Sequence, residues 1–219
     1  MPTLWDIITG NVKKKKSLEQ LFTNPLDLRI GNSIRVDNVD LSDVSFALTD
    51  FREVKRVIDG VSCFFVDYGI YAKPYGKDEI NRRIRLSPKG DDYTTKIEDY
   101  DVVLYNKISE CQFDEAFLKS LEGQEEFVEG DATYWRVNDN TKQQDAVIIT
   151  VDAKGVENYK TDENWLPRKH TLTYWDFWRE CEDEGGTKTL EFYNIEMNEN
   201  GFFEFWVGRK VDPTRISIV

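Results

Sequence analysis

Residues 171–211 concentrate the aromatic mass of this chain and limit what it can fold into. The stretch opens with Thr173-Tyr174-Trp175-Asp176-Phe177-Trp178 and breaks over an acidic, glycine-bearing segment from Glu180 to Gly186. It resumes with Leu190-Glu191-Phe192-Tyr193-Asn194-Ile195, turns at Asn198-Glu199-Asn200-Gly201, and ends in Phe202-Phe203-Glu204-Phe205-Trp206-Val207. Aromatic side chains suit a pleated, half-buried surface, and glycine supplies the positive φ of a tight turn, so the last two runs predict a β-hairpin. Phe205 and Trp206 then fall on opposite faces of one strand. Thr171 to Arg179 has a capping pattern in Thr173 and Asp176, but its aromatic and β-branched content predicts a strand.

The same alternation runs through the first half. Ile34/Val36, Phe46/Leu48, Val54/Val57, Phe64/Val66/Tyr68/Ile70 and Ile84/Leu86 sit between turn signals at Gly31-Asn32, Asp59-Gly60, Pro74-Tyr75-Gly76 and Pro88-Lys89-Gly90. Asp59-Gly60 predicts a second hairpin. Asp101 to Tyr105, Thr133 to Val137 and Ala146 to Val151 read as further strands, with Val156 to Tyr159 as a short extension. Helical spacing is confined to Phe113, Phe117 and Leu121, followed by Gly123, and to a turn or two over Ser17 to Phe22 before Asn24-Pro25. The expected fold is therefore α+β and predominantly antiparallel β, either hairpin-rich sheets or a partly open barrel, with one or two short helices. Residues 1–16 form a tail, and 17–219 one β-rich domain or two β subdomains over about 25–110 and 125–219.

Charge is polarised along the chain. Residues 1–90 carry 15 Lys and Arg against 12 Asp and Glu, a net of +3, whereas residues 91–219 carry 14 against 29, a net of −15; together these make the net charge of −12. An acidic surface repels phosphate backbones, which argues against nucleic acid as a partner. Cys63, Cys111 and Cys181 are far apart with no C-x-x-C pairing, and no signal peptide is evident, so reduced thiols and a cytoplasmic location are expected. The longest apolar runs, Val61 to Val66 and Ala146 to Val151, fall well short of the ~20 residues a spanning helix needs.

The termini and loops offer few chemical signals. Leu4, Trp5, Ile7 and Ile8 precede Lys13, Lys14, Lys15 and Lys16. Indole favours the headgroup zone and polybasic runs are drawn to anionic lipid, so these residues are candidate contacts for a membrane surface or an acidic partner, against the alternative of a solvated tail with Trp5 docked on its own domain. Arg82, Arg83 and Arg85 with Lys77 and Lys89 form the densest basic patch of the folded part; Arg83 and Arg85 share a strand face. They read either as a salt-bridged strand or as a site for an acidic protein or phosphate. The acidic flanks of the helical segment, Glu110 to Glu129 with Lys119 as its one cation, read as a solvated face or a site for a basic partner.

His170 is the single histidine, which removes most metal clusters and leaves one residue for any Cys-His or Ser-His pair. Asn138-Asp139-Asn140 and Asp91-Asp92 do not fit a calcium loop, and no G-x-G-x-x-G, P-loop or G-x-S-x-G occurs. No catalytic, cofactor or metal residue is assigned. A non-enzymatic protein-binding module is the leading expectation, and a hydrolase using Asp and Glu, with His170 as a further candidate, is the alternative.

Pro25-Leu26-Asp27-Leu28-Arg29-Ile30-Gly31 with Ile34-Arg35-Val36-Asp37, Val66-Asp67-Tyr68-Gly69, and Glu191-Phe192-Tyr193-Asn194-Ile195 with Val207-Gly208-Arg209-Lys210-Val211-Asp212-Pro213 resemble the YjfK-like family of bacterial proteins, a domain of unknown function. The resemblance covers nearly the whole chain after Asn24, and its motifs are structural in character. It implies no activity, cofactor or catalytic residue. Members are often encoded beside a phage-shock-protein-A-like membrane-remodelling protein, which implies an accessory role in envelope stress at the inner face of the membrane.

Overall fold

A computed structural model describes residues 24–37, 45–58, 61–72, 82–90, 94–122, 124–137, 142–151, 157–159, 169–182, 185–197 and 201–219. Trp5, Lys13 to Lys16 and the helix expected over Ser17 to Phe22 lie outside the described residues, as do the loops at Asp91-Asp92 and Asn138 to Asn140. Among the described residues the fold is mostly antiparallel β, with one α-helix and two 3₁₀ turns, as the alternation predicts.

The first half is a meander. β1 (Ser33–Val36) and β2 (Ser45–Ile58) are followed by β3 (Val61–Ala72), β4 (Arg82–Pro88) and β5 (Tyr100–Gln112). Ile58 pairs with Val61, which places the expected two-residue connection at Asp59-Gly60. After β5 comes helix α1 (Glu115–Leu121), whose N-cap Asp114 accepts from the N–H groups of Ala116 and Phe117. Next come the small hairpin β6 (Glu126–Glu129) and β7 (Ala132–Arg136), then β8 (Lys142–Val151) and β9 (Glu157–Tyr159). The aromatic stretch supplies β10 (Lys169–Glu182), β11 (Lys188–Met197) and β12 (Phe202–Lys210), and β13 (Ile216–Ile218) ends the chain against β1. Thr171 to Arg179 is thus strand, and Gly201 has φ +77°, the left-handed conformation the hairpin turn requires.

β12 closes against β5, which joins the two halves in one sheet of order β13-β1-β2-β3-β4-β5-β12-β11-β10-β7-β6. β8 pairs with β2 on one side and with β10 on the other, so the pairings run in a circuit through eight strands. β10 passes from β8, along residues 169–174, to β7 at Phe177 and Trp178.

Alternation along the strands makes two faces. The row Phe51–Tyr68–Ile84–Leu104 runs across β2 to β5 and belongs to an apolar cluster that packs Leu28, Ile34, Val36 and Val211 against the outer side of the sheet. On β10 to β12, Trp175, Phe177, Tyr193, Ile195 and Phe203 form a second outer cluster, covered by Leu121 and Phe117 of α1 and by Phe127 and Tyr134 of the β6–β7 hairpin. Phe205 joins this outer cluster, whereas Trp206 packs with Val103 and Tyr105 on the opposite face. Opposite Phe205 and Trp206, β5 carries Ser109 and Lys107, so Ile108 is the extra residue of a bulge. At Gly208 a β-carbon would stand 2.6 Å from the Tyr105 ring and 2.7 Å from Val103 Cγ1, so the ring occupies the space a side chain would need.

Candidate functional site

One residue further along each strand, the inner face is ionic. Arg52 stands opposite Asp67, and Asp67 opposite Arg85. Arg85 Nε donates to Asp67 Oδ1 at 2.8 Å, and Arg52 Nη2 donates to Asp67 Oδ2. Partners also come from strands that are not neighbours. Arg52 grips Glu196 of β11 with two hydrogen bonds of 2.9 Å, Arg83 Nη1 lies 2.7 Å from Glu196 Oε1, and Arg83 Nη2 donates to Asn194. Asn194 Nδ2 donates to Asp176 Oδ1 at 2.6 Å, which in turn lies 3.4 Å from Arg85 Nη1. β2 and β4 are not paired with β11, so these contacts cross the interior that the circuit encloses.

Arg83 and Arg85, expected among the partner-contacting residues, instead place their side chains here, each 4% exposed. The reason is geometric: β4 is covered on both faces, by the outer apolar cluster on one and by the ionic interior on the other. The guanidinium of Arg83 lies 4.2 Å from the Trp206 ring centroid and 5.0 Å from that of Tyr105, and Arg85 lies 4.9 Å from Tyr105, an arrangement that adds cation–π attraction to the ion pairs.

Burial alone would push both inner carboxyls up. Arg85, Arg83 and Arg52 reverse this at Asp67 and hold it well below the carboxylate range; Arg52, Arg83 and Arg85 hold Glu196 down at about 2. Burial also opposes charge on the arginines, yet Glu196 and Asp67 raise Arg52, and Asp67, Tyr105 and Asp176 raise Arg85. Arg83 is the exception. Burial outweighs its carboxylate partners and lowers it, and its Nε has no hydrogen-bond partner, although a guanidinium stays protonated throughout the physiological range. The three arginine charges are balanced by Asp67, Glu196 and Asp176. Burial pushes the Tyr105 hydroxyl up as well, so it stays neutral in this setting.

A smaller polar group lies on the same outer face, where β7 reaches β11 through Tyr134. Glu191, 4% exposed, accepts from Tyr134 at 2.8 Å, from Arg179 Nε at 2.8 Å and from Arg209 Nε at 3.3 Å. Burial favours its neutral form, but Tyr134 and Arg179 prevail and lower it; the same contact and burial raise Tyr134 to about 12.

One accessible sheet edge lies at β6, with β7 beside it; the opposite end of the sheet, at β13, exposes Ile218 and Val219. Val128 is 62% exposed and Trp135 45%, and Trp135 lies 6.0 Å from Trp178, centroid to centroid. Trp135 is directly opposite Glu126 on β6 and Trp178 on β10. Phe127 and Tyr134 point the other way, into the outer apolar cluster, which anchors the hairpin. Around it Glu122, Glu125, Glu126, Glu129 and Asp131 are exposed, and no ion pair among the described residues reaches any of them. The acidic flank read from the sequence therefore includes a strand edge, a feature hidden because Glu126-Phe127-Val128-Glu129 has only two apolar residues.

His170 lies at the start of β10, its backbone paired with Ala146; its side chain is outside the described residues. Among the described residues no group of three or more His, Cys, Asp and Glu is arranged to hold a metal ion, and no helix is long and apolar enough to cross a membrane. Compared with protein-family models, with curated proteins and with solved structures, the chain finds no match in any of the three.

Proposed function

We propose that this chain is a non-enzymatic accessory protein: a stiff β scaffold that binds a protein partner at the open β6–β7 edge and is held near an anionic surface by its first sixteen residues. The observation that carries the reading is the exposure of Val128 on the unpaired edge strand β6, with Trp135 exposed on the neighbouring β7, since apolar groups left at an unpaired edge are where strand-forming partners attach. The ionic interior supports it from the other side. Asp67 and Glu196 are each held as carboxylates by arginines, whereas a hydrolytic acid or base works with a pKa near its operating pH. The resemblance to YjfK-like proteins suggests the setting, the cytoplasmic face of a bacterial inner membrane, with a phage-shock-protein-A-like membrane-remodelling protein as the partner.

In this reading Trp5 and its apolar neighbours insert shallowly while Lys13 to Lys16 meet acidic headgroups or an acidic protein surface, an attraction that weakens as the Debye length falls from ~10 Å at 0.1 M salt to ~3 Å at 1 M. Co-sedimentation with anionic vesicles, with and without the purified membrane-remodelling protein, is expected to recover the full chain at low salt and to lose it at 1 M salt or on deletion of residues 1–16. The thermal midpoint should be nearly unchanged by the deletion. Equal recovery of full-length and truncated protein at both salt concentrations would overturn the role of the tail.

A further inference from the structure

The β6 edge has a chemistry that selects its partner, and we infer that it takes up a lysine- or arginine-rich segment in extended conformation as an added strand. The inference rests on the reading of the chain as a binding protein and specifies what the edge binds. Glu129 pairs with Ala132 across the two-residue turn Gly130-Asp131, where Gly130 has φ +57°. In such a hairpin the closing pair is hydrogen-bonded and the pattern alternates, so Phe127 pairs with Tyr134 through its backbone and the N–H and C=O groups of Glu126 and Val128 face outward. β6 is the last strand in the sheet order and pairs with β7 alone among the described residues. These outward groups are a template for one more strand.

Charge determines which strand. Five exposed carboxylates, Glu122, Glu125, Glu126, Glu129 and Asp131, surround the edge, and residues 120–135 contain no Lys or Arg. Phe127 packs on the Phe177 and Tyr193 rings, which ties the hairpin to the scaffold and keeps the edge in register. A second copy of the chain pairing through β6 would bring Glu126 and Glu129 against the same carboxylates of its partner, and like charges placed opposite each other across strands are destabilising. A segment that sets an apolar residue beside Val128 and cations beside Glu126 and Glu129 satisfies backbone, apolar and ionic groups together. Lysine is also what natural edge strands use to discourage pairing; here the edge carries the opposite sign, so it repels acidic strands and admits basic ones.

The test uses the full-length chain and a fluorescein-labelled twelve-residue peptide of three Lys-Val-Thr-Lys repeats, which in antiparallel register sets valine beside Val128 and lysines beside Glu126 and Glu129, alongside the same peptide with glutamate in place of lysine. Fluorescence anisotropy is expected to show binding of the lysine peptide at least tenfold tighter than the glutamate peptide, weakening as salt is raised from 50 to 500 mM. Val128→Pro removes an outward N–H without touching the β7 pairing and should weaken binding tenfold or more. Glu126→Lys with Glu129→Lys should reverse the peptide preference, and circular dichroism confirms that each variant is folded. Equal affinity for both peptides, or no effect of Val128→Pro in a folded variant, would overturn the inference. Amide shift changes confined to a surface away from β6 would overturn it while leaving the binding-protein reading in place. Binding seen only after deletion of residues 1–16 would overturn the assignment to a separate partner, since the chain's own Lys13 to Lys16 would then be the occupant. Vesicle recovery is measured separately, so loss of peptide binding does not bear on the tail.

Discussion

Asp67→Asn should destabilise the protein by about 3–5 kcal/mol, the range for removing one partner from a buried ion pair. The substitution keeps the shape of the side chain and deletes only its charge. Arg52, Arg83 and Arg85 would then face Glu196 and Asp176 alone, leaving three cations against two anions in a space the side chains of Arg83, Asp67 and Glu196 share at 3–5% exposure. For a chain of this length the loss corresponds to a fall in thermal midpoint of roughly 6–20 °C. Glu115→Gln provides the contrast. Glu115 and Lys119 also form a short ion pair, at 2.8 Å, but with side chains 70% and 69% exposed. Its loss should be worth ~0.5 kcal/mol or less, because water screens the attraction. Denaturant midpoints of the two variants, compared with the parent, check the expectation; equal small shifts would show that the interior is hydrated and its charges interchangeable with surface ones.

Trp206→Ala carries the second large effect. Trp206 is 5% exposed, packs on Val103 and Tyr105, and lies beneath the Arg83 guanidinium. Truncating a buried aromatic of this size costs ~3–5 kcal/mol. It would also leave Arg83, the cation that burial already disfavours, without its aromatic face. Trp206→Phe separates shape from polarity. The indole Nε1 has no hydrogen-bond partner, so phenylalanine forfeits no bond and should lose less than ~1.5 kcal/mol. A loss under 1 kcal/mol for Trp206→Ala would mean that the inner face tolerates a cavity and that the outer aromatic clusters alone hold β12.

Much of this architecture is legible in the sequence where turn chemistry and periodicity agree. Asp59-Gly60 and Asn200-Gly201 locate the two main hairpins because glycine meets a backbone demand that no neighbouring residue meets as easily. Phe113, Phe117 and Leu121 indicate the helix, with Asp114 as its cap. The strand through Thr173 to Trp178 follows from its aromatic content, against a capping pattern that would have begun a helix. What the pattern conceals is which face is enclosed. A period of two shows that Arg83 and Arg85 share a face, but polar-inward and polar-outward strands have the same period. The contacts that make the face an interior, Arg52 to Glu196 and Arg83 to Asn194, join residues 144 and 111 apart, and no local rule links them. β6 is obscure for a different reason: its two glutamates read as part of a solvated acidic flank, and it is Phe127, packed on Phe177 and Tyr193, that gives the strand a buried face.

Carboxylates on strands far apart in the sheet are enclosed and held charged by arginines. This bears directly on stability: a carboxyl whose folded value lies below its unfolded one contributes stability that is fully present above the unfolded value and is lost as pH falls toward the folded one. For Glu196 that window runs from the ordinary value of 4.5 down to about 2, and Asp67 acts in the same direction. With one pH unit equivalent to 1.36 kcal/mol, the contribution of Glu196 is on the order of 3 kcal/mol. The most direct measurement is a carbon-detected NMR titration of the side-chain carboxyls of the intact chain, followed to the lowest pH at which it remains folded. The predicted result is a Glu196 resonance that stays in its ionised position through pH 4.5 and moves only near pH 2, with Asp67 ionised over the same range. A Glu196 midpoint at or above 4.5 in the folded protein would contradict the account.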